Sequence, residues 1–381
     1  METSLADQIT PMPHVSRPSG EKRLGVVRRL YPGYFALVMA TGIVSTGLYD
    51  IGWSTVSALL LIIGAVCLAV LLAATAIRVA LFPREVAADL SAPDRAYAFF
   101  TFVAACTVIG ARSAGAGLPS VACVLGGIAF LAWMGLSYGI PVRLVLGPRP
   151  QPVLAGVNGT WFIWVVGTQS LAVISAVLGT AYRGHAEFVH FTGLTAVLMW
   201  SVGVVLYLMV ATLVLTRLLL LEVRPEDLTP PYWVTMGATA ITVLAAAEIL
   251  AMPVTPATSA ARPVLAGLGI VLWAFGTWLI PMLVLFGLWR HVLRRTRLEY
   301  LPQLWSIVFP LGMYATASME LGRAVGLPII EEIGRTWVWV AFPAWAVTFT
   351  AMLVKLLVTL SARLTPRLTQ RMRPRAARSD S

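Results

Sequence analysis

The sequence predicts an all-α integral membrane protein of ten transmembrane helices. Three observations predict it: an apolar composition, apolar runs of spanning length, and a one-sided distribution of positive charge. Hydrophobic residues make up 58% of the 381-residue chain and charged residues 12%, with a mean hydropathy of +0.82. An ordinary soluble domain carries about 25% charged residues. No soluble fold of this length hides so much apolar surface, and a bilayer crossing needs roughly 20 apolar residues. Runs of that kind recur from Tyr31 to Leu360.

The first span is expected over 31–49. The others follow at 55–82, 95–114, 118–140, 153–178, 189–220, 231–252, 263–289, 303–323 and 336–360. Short polar, Pro or Gly segments separate them, such as Phe82-Pro83-Arg84-Glu85 and Arg224-Pro225-Glu226-Asp227, and none is long enough for a soluble domain. The chain therefore divides into a tail over 1–30, a helical domain over 31–360 and a basic tail over 361–381. No small-residue cleavage site follows the first apolar run, so the N-terminal tail is read as uncleaved and cytoplasmic.

Charge sets the orientation. Of the 28 Lys and Arg residues, Arg112, Arg183, Arg262, Arg323 and Arg335 fall on one side, and the other 23 lie on the side of the two termini. Positive charge marks the cytoplasmic face, so both termini are expected inside an inner or plasma membrane, which requires an even number of spans. The net charge of +11 is then a signal of topology and lipid contact rather than of nucleic acid. Cys67, Cys106 and Cys123 lie in spans, without a CxxC or a histidine partner, so neither a zinc site nor a disulfide framework is expected. No nucleotide, metal-protease or hydrolase motif stands where it could act, and no cofactor is expected.

The odd-numbered spans share a pattern that the even ones lack. Each starts near a proline and an aromatic and reaches small or hydroxylated residues about two turns later: Phe35 to Thr41-Gly42, Phe102 to Gly110, Trp161 to Gly167-Thr168, Trp233 to Gly237-Thr239, Trp305 to Gly312. The anchors Phe35, Phe99, Trp161, Trp233 and Trp305 are 64, 62, 72 and 72 residues apart, which reads as one helical hairpin repeated five times. Five odd helices are expected to face a common axis, sheathed by five even ones. The axis would be a pore; the alternative is that small residues only mark close helix packing.

The segment from Tyr31-Pro32-Gly33-Tyr34-Phe35 to Thr41-Gly42-Ile43 resembles the first inner helix of the tellurite-resistance/dicarboxylate transporter family. That family includes slow anion channels, malate permeases and sulfite efflux pumps. Pro231-Tyr232-Trp233-Val234-Thr235-Met236-Gly237 and Trp305-Ser306-Ile307-Val308-Phe309-Pro310-Leu311-Gly312 agree with it, over about 30 to 360. The resemblance implies a quasi-fivefold ten-helix fold, transport of small anions, a homotrimer, and a phenylalanine on the ninth helix that closes the pore. Phe309 beside Pro310 is the position onto which that gate is carried. A mid-membrane proline removes a backbone hydrogen bond and kinks its helix, which would leave the aromatic room to swing; ordinary core filling is the alternative.

The deep lining is expected to be uncharged, with Gly42, Gly110, Gly167, Gly237 and Gly312 alongside Thr41, Thr168, Gln169 and Thr239. Weak dipoles of this kind suit rapid passage, although Gln169 serves equally as interhelical glue. Arg112, Glu248, Glu320 and Arg323 stand near the outer ends of odd spans. They would form a vestibule that attracts an anion and takes a proton, or else a structural ion-pair cluster. The alternatives to an anion channel are a proton-coupled carrier for C4-dicarboxylates such as malate and a sulfite exporter. A membrane-embedded enzyme is a remote reading, since the four scattered histidines give no catalytic cluster.

Overall fold

The computed structural model describes residues 25–147, 152–296 and 299–371. Most of the two expected tails lies outside the described residues. Within them the chain forms ten long helices: α1 (Ala36–Asp50), α2 (Ser54–Leu81), α3 (Phe100–Gly115), α4 (Pro119–Leu146), α5 (Phe162–Ala181), α6 (Ala186–Leu220), α7 (Val234–Ala251), α8 (Pro256–Leu288), α9 (Trp305–Val325) and α10 (Pro328–Arg371). A short helix, Pro83–Leu90, lies in the connection from α2 to α3.

Each odd helix is introduced by a 3₁₀ turn: Pro32–Phe35, Ala96–Phe99, Gly159–Trp161, Pro230–Trp233 and Pro302–Leu304. Phe35, Phe99, Trp161 and Trp233 stand at the junction where the tight turn widens into the α-helix, and Trp305 is the first residue of α9. The repeat of aromatic anchors is thus a repeat of one helix-initiating device.

The odd helices form a closed ring. α1 packs on α3, α3 on α5, α5 on α7, α7 on α9, and α9 returns to α1. Each even helix lies against its own hairpin partner and against the next inner helix, and α10 completes the circuit by reaching α1. The five 3₁₀ turns also touch in sequence around one end of the ring. Gly159 sits where two of them meet, so close to Pro231 and Tyr232 that a side chain there would run into their backbone.

Burial follows this two-layer plan. The inner helices are covered on nearly every side, whereas α2 turns a stripe of Leu59, Ile62, Val66 and Val70 outward, each more than half exposed. An apolar stripe of this length left bare suits hydrocarbon rather than water. Eight helices are long and apolar enough to cross a membrane. The two that are not, α1 and α9, are inner neighbours, whose polar residues protein shields from lipid.

Polar latches join the layers. Trp133 of α4 donates its indole N–H to Thr168 of α5 (2.8 Å), Trp200 of α6 to the Thr242 carbonyl of α7 (3.1 Å), Trp273 of α8 to Ser318 of α9 (2.8 Å), and Trp345 of α10 to Thr41 of α1 (3.0 Å). Every latch crosses to the next hairpin. α2 carries no tryptophan within its length, and Leu68 packs near its middle.

Boundaries differ from expectation mainly in the outer helices. α10 starts eight residues earlier than the span expected from 336, and stays helical to Arg371 where a tail was expected from Ser361. Hydropathy marks where a chain leaves apolar surroundings, while a helix ends only where its backbone hydrogen bonding is interrupted.

Candidate functional site

At the end of the ring where the inner helices terminate there is a cavity of about 200 Å³. Its lining comes from all five inner helices and from none of the outer ones. The polar groups are Thr46, Tyr49 and Asp50 of α1, Thr107 and Arg112 of α3, Ser170 of α5, Glu248 of α7 and Thr316 of α9, set among aliphatic side chains.

Arg112 is held in place by a three-helix node. Ser45 of α1 and Ser57 of α2 each donate a hydroxyl to the other's backbone carbonyl, both at 2.7 Å. Arg112 then donates to the Ser57 hydroxyl from Nη2 (2.8 Å) and Nε (3.3 Å), and its guanidinium lies 4.2 Å from the centre of the Tyr49 ring. The side chain is buried, its Nη1 has no partner, and no carboxylate forms an ion pair with it among the described residues. A buried charge without a counter-ion is costly. Thr316 Oγ1 and Asp50 Oδ2 are likewise buried without partners, and the Glu248 side chain makes no hydrogen bond or ion pair among the described residues. A forked cation with a free N–H in a mostly apolar cavity can bind an anion, and the two nearby carboxylates oppose it.

Of the four expected vestibule charges, Arg112 and Glu248 line this cavity. Glu320 and Arg323 do not. They pair with each other at 2.6 Å, and Arg323 continues to Glu331 (3.1 Å), which also holds Arg335 (2.7 Å). That network fastens α9 to α10, the structural alternative left open by the sequence.

The residues expected along the pore lining lie at contacts between helices. Thr41 and Thr168 accept from the latches of Trp345 and Trp133, Thr239 lies against Gly276 of α8, and Gln169 donates from Nε2 to the Trp200 carbonyl of α6 (3.1 Å). All four face the outer layer: outer helices supply the hydrogen-bond partner of Thr41, Thr168 and Gln169, while Thr239 donates to the Met236 carbonyl of its own helix (2.7 Å). The glycines mark seams between helices. A side chain at Gly42 would meet Val108, at Gly110 Ile174, at Gly167 Phe100, at Gly237 Pro310, and at Gly312 Ile43.

Phe309 is fully buried on α9, one turn before Met313 and two before Thr316, both of which line the cavity. It therefore shares their face, one turn nearer the 3₁₀ turns. Pro310 lies within an unbroken helix, with its ring packed on Gly237; the helix runs through the proline instead of breaking there.

Asp50 is the site residue that sequence reasoning missed, being placed in a loop just past the first span. The repeat contains the signal: Asp50, Glu248 and Glu320 each stand fifteen residues after their anchors Phe35, Trp233 and Trp305.

Comparison with known proteins agrees with this architecture. A 148-residue stretch is 54% identical to an uncharacterized membrane protein of Mycobacterium tuberculosis, covering 39% of this chain and 75% of that protein. An uncharacterized transporter of Methanocaldococcus jannaschii is 24% identical over 339 residues, covering 86% of this chain and 94% of its own. The sulfite efflux pump SSU1 of Arthroderma otae is 21% identical over 354 residues, covering 86% and 91%. Residues 29–353 match the SLAC1 family, described as voltage-dependent anion channels. With its ring, sheath and membrane-spanning length, this multi-pass membrane protein belongs to that family.

Proposed function

We propose that the ring is a conduction path for small inorganic anions, that all ten helices cross the membrane, and that both termini face the cytoplasm. The observation that carries the reading is Arg112, a buried guanidinium with a free N–H and no ion-paired carboxylate among the described residues, in a cavity enclosed by the five inner helices alone. A transient anion is the counter-ion it lacks. The cavity lies at the end away from the 3₁₀ turns, and the positive-inside distribution of charge supports reading that end as the outer side of an inner or plasma membrane.

Phe309 is the gate in this reading. It lies on the cavity-lining face of α9, directly below the cavity floor, in a helix whose proline leaves the Ser306 carbonyl without its usual partner. Trimer formation, which the family resemblance implies, would bury part of the outer apolar surface.

One observation favours a second reading, a proton-coupled carrier: Asp50 and Glu248 enter the same cavity as Arg112 without partners of their own. Reconstitution into liposomes with chloride, nitrate, sulfite and malate, each with and without a proton gradient, tests both. Passive, gradient-independent flux of the small anions supports the channel. Saturable uptake that follows the proton gradient supports the carrier, and no flux of any of the four refutes anion transport.

A further inference from the structure

The opposite end of the ring carries a second polar cavity, of about 260 Å³, among the segments that lead into the inner helices. Asn158 and Thr160 line it from the start of α5, Tyr232 from the start of α7 and Gln303 from the start of α9, while Arg217 reaches it from the last turn of α6. The inner helices are parallel, so all five N-termini and their 3₁₀ turns gather at this end. Each contributes partial positive charge to the mouth.

Arg217 is only 7% exposed. Its Nη2 pairs with Asp227 at 3.1 Å, but Nε and Nη1 have no partner, and neither does the buried hydroxyl of Tyr232. Three buried donors around one cavity thus lack acceptors, each at a desolvation cost. Three acids also line the cavity. Asp227 pairs with Arg217 and accepts from the Arg224 amide (3.0 Å), Asp94 is more than half exposed and pairs with Arg95 (3.5 Å), and Glu226 is exposed. Arg217 and Asp227 cancel as a pair, Arg95 offsets Asp94, and the remaining carboxylate, Glu226, is screened by solvent.

We infer that this cavity is a second anion site, a loading site that takes one small monovalent anion on Arg217 Nε and Nη1 and the Tyr232 hydroxyl. The inference rests on the anion-transport reading and adds the point of entry at the mouth opposite Arg112. The Asp227 carboxylate beside the site disfavours a dianion. The two mouths are unlike: five helix N-termini gather at this one, and five C-termini with Asp50, Glu248 and Glu320 at the other.

The test uses the full chain and nitrate as the ligand, with current recorded in excised patches while nitrate is varied on one face at a time. Tyr232→Phe removes a hydroxyl that has no hydrogen-bond partner among the described residues, so the fold keeps its contacts. The expected result is a half-saturation for nitrate raised roughly ten-fold, the loss of one charge-assisted hydrogen bond, only when nitrate is supplied at the 3₁₀-turn face. Maximal current is unchanged. Arg217→Gln is expected to do the same more strongly. A half-saturation that is unaltered in Tyr232→Phe, or raised equally from both faces, overturns the site. Thermal unfolding in nitrate separates this from the transport reading. If the wild type carries no current, nitrate protection that Tyr232→Phe loses still supports the site, and protection equal in both proteins refutes it.

Discussion

Replacing Arg112 by glutamine removes the cation from the lining of the inner-ring cavity, and its consequence can be sized. A unit charge about 4 Å from a monovalent anion is worth about 4 kcal/mol at an effective dielectric constant of about 20, or roughly a thousand-fold in occupancy. Asp50 and Glu248 share the cavity and oppose that attraction. The expected fall in nitrate flux into liposomes at sub-saturating concentration is therefore roughly ten- to a hundred-fold. Arg112→Lys, which keeps the charge but loses the fork onto Ser57, is expected to recover part of it. Stability should move the other way. A buried guanidinium without a carboxylate partner destabilises the fold, so Arg112→Gln is expected to leave the thermal midpoint unchanged or raise it. Undiminished flux of nitrate, chloride and sulfite would take Arg112 out of the path. A parallel loss of folding and flux would make it a structural residue.

Phe309→Ala is expected to raise anion current if the ring closes the path; a drop of about 3–5 kcal/mol in stability with no change in current would mark Phe309 as core filler. Trp345→Phe removes one latch while leaving Thr41 bonded to the Leu37 carbonyl. It is expected to cost about 1 kcal/mol, read as an earlier thermal midpoint with the anion preference unaltered. Burial raises the pKa of Asp227, but the Arg224 amide and the Arg217 guanidinium more than reverse this and hold it below the ordinary carboxylate value. Its contribution is thus in place above about pH 3.9 and is lost as pH falls through the lower folded value. Hydrogen exchange in the connection from α6 to α7 is expected to accelerate there; an unchanged rate across that window would refute the linkage.

Much of this architecture is legible in the residues. The spacing of Phe35, Phe99, Trp161, Trp233 and Trp305 marks the start of every inner helix, because a tight turn must recur wherever a hairpin begins. Inner-helix faces are another matter. Thr41, Thr168, Gln169 and Thr239 are the polar residues that stand out along their helices, yet outer tryptophans and a carbonyl hold the first three toward the sheath, and Thr239 sits against Gly276 of α8. A helix buried on all sides has no apolar stripe to show which face points inward. Asp50 falls at a span boundary, where hydropathy alone reads it as loop, although its register with Glu248 and Glu320 places it in the same tier. Glu320 shares that register but is claimed by Arg323, an i,i+3 pair legible on one helix; only the extension to Glu331 on α10 needs three-dimensional proximity.

The contact of α9 with α1 has a mechanical meaning. A row of helices with two free ends can part anywhere at the expense of one seam, whereas a closed circuit of five has no end at which to begin. Widening it strains every seam together, and the overlapping outer helices resist each one in turn. Close-packed interiors shift between discrete arrangements and do not stretch smoothly. The inexpensive motion left inside such a hoop is the rotation of one side chain, which gives the ring a fixed bore and leaves its traffic to be controlled from within.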